Sequence, residues 1–163
     1  MKILLLTQVL PYPPDSGPKV KTLNVIKYLA RRHQLTLVSF VRGDQSKDVE
    51  ALRKYCRAVH TVPIERKPLL DGLALLRSLV SGQPWMMERD DRKDMRAKVR
   101  EVAAGQQFDI VQADQLNMAQ FAEDVPDARR VVDTHNALWL LYKRLAETMS
   151  GPKRWLLERD WRL

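Results

Sequence analysis

Residues 2–31 have the sequence KILLLTQVLPYPPDSGPKVKTLNVIKYLAR. The apolar run Lys2–Thr7 predicts a buried parallel strand. The proline-rich residues 10–18 suit neither a helix nor a central strand, so they predict a loop. Apolar residues then recur at helical spacing over residues 19–32, and Pro18 suits the first turn of that helix because proline has no N–H to leave unpaired. A strand, a loop and a helix in this order predict the first half of a βαβ unit.

The rest of the chain repeats this alternation. Four further strands are predicted at 35–41, 59–64, 108–113 and 130–134, with helices at 46–57, 68–80, 89–104 and 116–122. From Ala137 we expect helix to the end of the chain, with a break near Ser150-Gly-Pro152. Strands that alternate with helices predict an α/β fold of the Rossmann-like kind, a three-layer parallel sheet with helices on both faces. We expect residues 1–163 to form a single domain of this kind.

The composition is that of a globular domain, with 45% hydrophobic and 29% charged residues in a chain of 163. No apolar run approaches the roughly 20 residues that span a bilayer. The apolar residues after Met1 are also too few for a secretory signal. The single cysteine, Cys56, excludes an internal disulfide and a cysteine-based zinc site. These features predict a cytoplasmic protein.

The formal net charge of +8 predicts a partner that carries phosphate, such as a nucleic acid, a lipid headgroup or a sugar nucleotide. No helix-turn-helix, zinc finger or aromatic RNA-binding strand is present in the sequence, so nucleic acid is not a predicted partner. The densest basic segment, residues 89–100, is interleaved with acids. A solvated helix face explains that segment as well as a binding patch does.

Ser16 and Gly17 form the first candidate site, because ligands of open parallel sheets bind at the carboxyl ends of the strands. A glycine there lets the backbone approach a ligand closely, and the helix that follows favours anions. The segment matches neither a Walker A loop nor the dinucleotide pattern G-x-G-x-x-G. The alternative is that both residues only cap the helix.

His135 and Asn136 form the second candidate site, directly after the fifth predicted strand. Both can hydrogen-bond a substrate, and a histidine can exchange protons near neutral pH. The alternative is that Asn136 caps the final helix and His135 is merely half-buried. Asp114, after the fourth strand, is the third candidate, with capping of the next helix as its alternative. The three histidines have no metal-ligand spacing, so no metal site is predicted.

Three segments carry a resemblance to a known family: residues 2–31, FDIVQAD at 108–114 and VDTHN at 132–136. In this order they resemble the opening strand, loop and helix, the FD(I/V)V-x-x-D strand and the D-x-HN element of family-4-type bacterial glycosyltransferases. The resemblance extends over almost the whole chain. Among these enzymes the chain is most similar to the sugar transferases of bacterial exopolysaccharide assembly.

This resemblance implies a GT-B enzyme, with two Rossmann-like lobes and the active site in the cleft between them. The chain would be the N-terminal, acceptor-side lobe, and we expect the natural protein to continue past Leu163 into a donor-binding lobe. The implied reaction transfers a sugar, with retention, from a nucleotide diphosphate sugar to a carbohydrate or lipid-linked acceptor. The resemblance implies no cofactor and no metal, and an isolated lobe without activity. It leaves open whether the cytoplasmic enzyme touches the inner face of the membrane.

The resemblance also assigns roles to single residues. Ser16 and Gly17 would line the cleft, Lys21 would contact phosphate, and His135 would lie beside the transferred sugar. Asp114 and Asn136 are the remaining residues predicted to bind substrate.

Two departures from the family pattern weaken the donor side of the predicted site. Pro18 replaces a second glycine and has no N–H to offer a phosphate. Lys21 replaces an arginine and so lacks the bidentate fork.

A second class of function stays open: a stand-alone flavodoxin-like binding or regulatory domain. The first strand ends in Thr7-Gln8 instead of an acidic pair, which disfavours a phosphoacceptor domain. The proline-rich loop that follows is unlike the Ser/Thr/Gly-rich loop that a bound flavin would need.

Overall fold

Five parallel strands form one sheet in the computed structural model, which describes residues 1–134 and 137–163. The strands are β1 (Lys2–Thr7), β2 (Gln34–Val41), β3 (Ala58–Pro63), β4 (Ile110–Asp114) and β5 (Arg129–Asp133). Their spatial order is β3-β2-β1-β4-β5, and all four neighbouring pairs are parallel. Among the described strands β5 has one neighbour, β4, and Arg129–Val132 are exposed along it.

Eight helices are present in the described residues. They are α1 (Gly17–Leu29), α2 (Ser46–Leu52), α3 (Pro68–Ser81), α4 (Trp85–Asp90), α5 (Lys93–Gly105), α6 (Leu116–Ala122), α7 (Leu138–Thr148) and α8 (Gly151–Asp160). Each of them is too short or too polar to reach across a bilayer.

The chain divides into two compact units. The sheet unit comprises Met1–Glu65 and Arg92–Asp133, and the helical unit comprises Arg66–Asp91 and Thr134–Leu163. The expectation of a single domain over residues 1–163 stays a prediction.

The sheet unit has three layers, because successive side chains of a strand point to opposite faces of the sheet. Leu4 and Leu6 of β1 lie in one apolar cluster with residues of α5 and α6, such as Val99 and Phe121. Leu5 lies in a second cluster with residues of α1 and α2. The prediction of a Rossmann-like parallel sheet with helices on both faces is confirmed.

Partly buried polar contacts hold the helices of the helical unit together. Asp90 is fully buried and lies 2.6 Å from the guanidinium of Arg66. The backbone N–H of Trp85 donates to the carboxylate of Asp160 at 2.8 Å, and its indole N–H donates to the carbonyl of Asp71 at 3.1 Å. Burial raises the pKa of Asp160, while the bond from Trp85 lowers it. These contacts join α3, α4 and α8 to one another.

Three predicted helices were wrong in their bounds. The helix predicted over residues 19–32 spans Gly17–Leu29. The helix predicted over residues 89–104 is two helices, α4 and α5, because Asp91 and Arg92 leave the helical conformation with ψ angles of 90° and 124°. The helix predicted over 46–57 ends at Leu52, and a turn closed by the N–H of Cys56 on the carbonyl of Leu52 brings that thiol into the core. Burial raises the pKa of the Cys56 thiol to about 11, so it is not a reactive nucleophile.

Candidate functional site

Three strands end side by side at the carboxyl edge of the sheet. Thr7, the last residue of β1, is in register with Asp114 of β4, and Asp114 is in register with Asp133 of β5. The chain runs outward from β1 to β2 and β3 on one side, and β4 and β5 lie on the other side. In open α/β sheets this reversal of strand order makes the crevice where ligands bind. The candidate site is therefore built around the ends of β1 and β4.

The amino terminus of α1 lies directly after the loop that follows β1. Ser16 is the N-cap residue in an extended conformation, and its hydroxyl makes no capping hydrogen bond within the described part of the chain. The first turn contains no acid. The helix dipole and the first N–H groups of α1 therefore favour an anion here. Pro18 contributes no N–H to this set.

Gly17 has no steric reason among the described residues to be a glycine. A Cβ built on it would meet none of their atoms within 4 Å, and its φ lies outside the left-handed region. The fold of the described residues therefore does not require a glycine here, and the predicted role of Gly17 in the site stays a prediction.

Lys21 joins α1 to the carboxyl end of β5. Its Nζ lies 2.6 Å from Oδ1 of Asp133, across 112 positions of sequence. The side chains are 43% and 26% exposed, so solvent screens the pair. Lys21 was predicted to contact phosphate, and in the structure its charge faces Asp133. The local sequence contained no signal for this pairing, although Asp133 belongs to the VDTHN segment.

Asp114 joins β4 to the same helix. It is only 5% exposed, and its Oδ2 accepts a hydrogen bond from Oγ1 of buried Thr22 at 2.9 Å. The same hydroxyl lies 2.9 Å from the carbonyl of Pro18, one turn earlier in α1. The N-cap residue of α6 is Gln115, so Asp114 does not occupy the capping position. Its contact with Thr22, a residue that the sequence did not single out, holds α1 against the end of β4.

Two further features of this edge were not visible in the sequence. Gln115 has φ 88° and ψ 154°, a region that only glycine adopts without strain. Its N–H donates to the carbonyl of Asp133 at 3.0 Å, which ties the ends of β4 and β5 together. Thr7 is fully buried, and its hydroxyl has no hydrogen-bond partner among the described residues. A bound ligand or water could supply that partner.

His135 and Asn136 lie outside the described residues, so their predicted roles stay predictions. The described chain reaches the carboxyl end of β5 at Asp133, two positions before His135. Within the described ranges no three His, Cys, Asp or Glu side chains are grouped so that they could hold a metal ion. The candidate site is therefore made of hydrogen-bonding and charged groups around α1.

Comparison with known proteins gives little similarity. No family model matches this sequence, and no curated protein matches it. A solved structure to which the chain is similar is the C-terminal domain of a hydrogenase from Pyrococcus furiosus, at 17% identity and a TM-score of 0.49. The similarity covers 81% of this chain and 90% of that domain. Similarity at this level says nothing about what this chain does.

Proposed function

We propose that this chain is the N-terminal, acceptor-side lobe of a two-lobed, retaining glycosyltransferase of the family-4 type. The observation that carries the proposal is the meeting of the three resembling segments at one edge of the sheet. The loop and helix after β1 contact the end of β4 through Thr22 and Asp114, and the end of β5 through Lys21 and Asp133. Ligands of this fold bind at that edge.

The proposed reaction moves a sugar from a nucleotide diphosphate sugar to a carbohydrate or lipid-linked acceptor. The leaving diphosphate needs electrostatic stabilisation, which a second lobe would largely supply. In this lobe, the amino terminus of α1 favours negative charge. Lys21 could exchange Asp133 for a phosphate oxygen, because the pair is partly exposed. The proposed reaction uses no cofactor, metal ion or nucleic acid, and the proposed enzyme is cytoplasmic.

The strand order favours this function over a stand-alone flavodoxin-like domain. The order β3-β2-β1-β4-β5 belongs to the dinucleotide-binding type of Rossmann sheet, whereas flavodoxin-like sheets have the order 2-1-3-4-5. GT-B enzymes are built from Rossmann-like lobes.

Donor screening of the protein expressed from its complete reading frame tests the proposal. We expect one nucleotide diphosphate sugar to release its nucleotide diphosphate, with the release accelerated by a glycan or lipid-linked acceptor. We expect the 163-residue chain alone to be folded and inactive, because a GT-B cleft needs both lobes. No turnover with any donor and acceptor would contradict the transferase, and transfer by the 163-residue chain alone would contradict its assignment as half an enzyme.

A further inference from the structure

The helix α3 presents large apolar side chains to solvent along one face. Leu69, Leu73, Leu76 and Val80 are 76%, 49%, 61% and 91% exposed. Their spacing of four, three and four residues places them in one row along the helix, which we name the α3 stripe. A contiguous exposed apolar row of this kind marks an interaction surface.

The opposite face of α3 is the one that packs within the helical unit. Ala74 and Ser78 on that face are buried. The hydroxyl of Ser78 donates to the carbonyl of Gln83 at 2.7 Å and accepts from the guanidinium of Arg159 at 2.8 Å. An amphipathic helix ordinarily turns its large apolar residues inward. Here small residues hold the helix in place and the leucines are left outside.

We propose that the α3 stripe inserts into the surface of an anionic lipid bilayer, with α3 lying along that surface. None of the exposed side chains of α3 is acidic, since its one acid, Asp71, is half-buried. Arg77 is exposed beside the stripe, and Lys67 is exposed just before the helix. Cations beside an apolar face are attracted to anionic headgroups while the apolar side chains enter the acyl boundary.

The dimensions of α3 agree with this placement. Its 14 residues extend about 21 Å at 1.5 Å per residue, which is shorter than the roughly 30 Å core of a bilayer. The helix would therefore lie in the interface and not cross it.

A second copy of the chain fits the stripe less well than a bilayer does. Full burial of a leucine side chain removes about 100 Å² of apolar surface from water, so the partly exposed stripe offers about 300 Å². A stable protein interface buries about 800 Å² on each partner, of which somewhat more than half, about 450 Å², is apolar. A bilayer accepts a row of leucines without a complementary surface. This inference goes beyond the proposed function and does not depend on it, because membrane binding can be measured without any sugar transfer.

Vesicle co-sedimentation of the 163-residue chain tests the proposal. The probes are vesicles of phosphatidylglycerol and phosphatidylcholine, and vesicles of phosphatidylcholine alone. We expect the chain to sediment with the anionic vesicles, to bind the neutral ones less, and to be released in part by salt, which screens the headgroups.

The variant Leu69→Gln/Val80→Gln removes the two most exposed side chains of the stripe and keeps good helix formers. We expect it to lower the partition onto anionic vesicles by about tenfold or more, because binding scales with the apolar area inserted. The matched control is Tyr28→Gln/Leu116→Gln, which removes two exposed apolar residues of the sheet unit and should leave binding unchanged. Circular dichroism and the thermal midpoint of each variant show that it is folded.

Three results would overturn the proposal. One is the absence of binding to anionic vesicles, and another is equal loss of binding in both variants. The third is a wild-type chain that is dimeric in light scattering and becomes monomeric in the stripe variant, which would assign the stripe to a contact between two copies.

Discussion

Lys21 and Asp133 connect two parts of the candidate site that lie 112 positions apart, and their coupling can be measured. Because both side chains are partly exposed, each single alanine substitution should lower the free energy of unfolding by about 0.2–1 kcal/mol. The double variant should lower it by less than the sum of the two. In the complete enzyme, Lys21→Ala should also raise KM for the donor more than Asp133→Ala does. Equal effects on KM would leave Lys21 with a structural role only, and Lys47→Ala, an exposed lysine of α2, is the control.

Substitution of Gly17 can show whether the fold or a bound ligand requires a glycine at this position. None of the described residues lies within 4 Å of a Cβ at this position, so Gly17→Ala should leave the thermal midpoint unchanged or raise it slightly, since alanine restricts the unfolded chain. If the backbone approaches the donor or acceptor here, the same variant should lower kcat/KM of the complete enzyme. An unchanged kcat/KM would remove Gly17 from the site.

If the proposed function is correct, His135→Ala in the full-length protein should reduce kcat by about 10²–10³, the usual cost of one hydrogen bond that strengthens in the transition state. A residue that only packs or caps would instead lower stability by about 1 kcal/mol and leave kcat per folded molecule unchanged. Measuring kcat and the thermal midpoint on one preparation distinguishes the two.

Gln115 carries backbone strain that a glycine would relieve. A residue with a side chain at this φ and ψ costs about 1–3 kcal/mol, against about 0.5–1 kcal/mol for the extra freedom of glycine in the unfolded chain. Gln115→Gly should therefore raise the free energy of unfolding by about 1 kcal/mol, as measured in a urea titration. Ala119→Gly, inside α6, should lower it by a similar amount and serves as the control. A destabilised Gln115→Gly variant would contradict the strain.

At the scale of elements, hydrophobic periodicity predicted the succession of strands and helices along the chain and the bounds of β1 and α6, because these depend on local patterns. The periodicity did not predict the break between α4 and α5. The break follows Asp90, whose carboxylate pairs with Arg66, 24 positions away, and a local pattern contains no signal for such a contact. The site shows the same limit of local patterns. The sequence indicated the segments around Gly17 and Asp114, but not the contacts of Lys21 with Asp133 and of Thr22 with Asp114, which join residues far apart in sequence.

Asp160 gives the helical unit a pH dependence of known sign. Burial raises its pKa above the ordinary value of 3.8, so the folded state binds this proton more tightly than the unfolded state does. Its contribution to stability is therefore greatest below that ordinary value and falls as the pH rises through the raised pKa. Asp160→Asn keeps an oxygen for the N–H of Trp85 but cannot ionise. The stability of the wild type relative to this variant should decline as the pH rises above about 4, and a constant difference would contradict the raised pKa.

At the scale of the whole molecule, the two units have different surfaces. In the sheet unit, the described part of the candidate site is formed by three strand ends and one helix. Most large apolar side chains of this unit are buried in the two clusters on either face of the sheet. The helical unit leaves the α3 stripe exposed. The described residues that carry the two proposals belong to different units, so a variant at one set should not affect the assay of the other. Leu69→Gln/Val80→Gln should leave donor hydrolysis in the absence of membranes unchanged, and a loss of that activity would show that the two surfaces are coupled.

Among the described strands β5 is paired on one side only, which has a consequence for the handling of this protein. An unpaired strand edge is a template on which other chains can add, and the neighbouring Val131 and Val132 are both exposed there. Arg129 and Arg130 precede them and are exposed, and we expect them to hinder aggregation because like charges keep two such edges apart. Arg130→Val would extend the run to three valines and should make the chain aggregate at a lower concentration, seen as earlier light scattering on warming, whereas Arg31→Val should not. With that result, Arg129 and Arg130 would determine the highest concentration at which the isolated chain stays in solution.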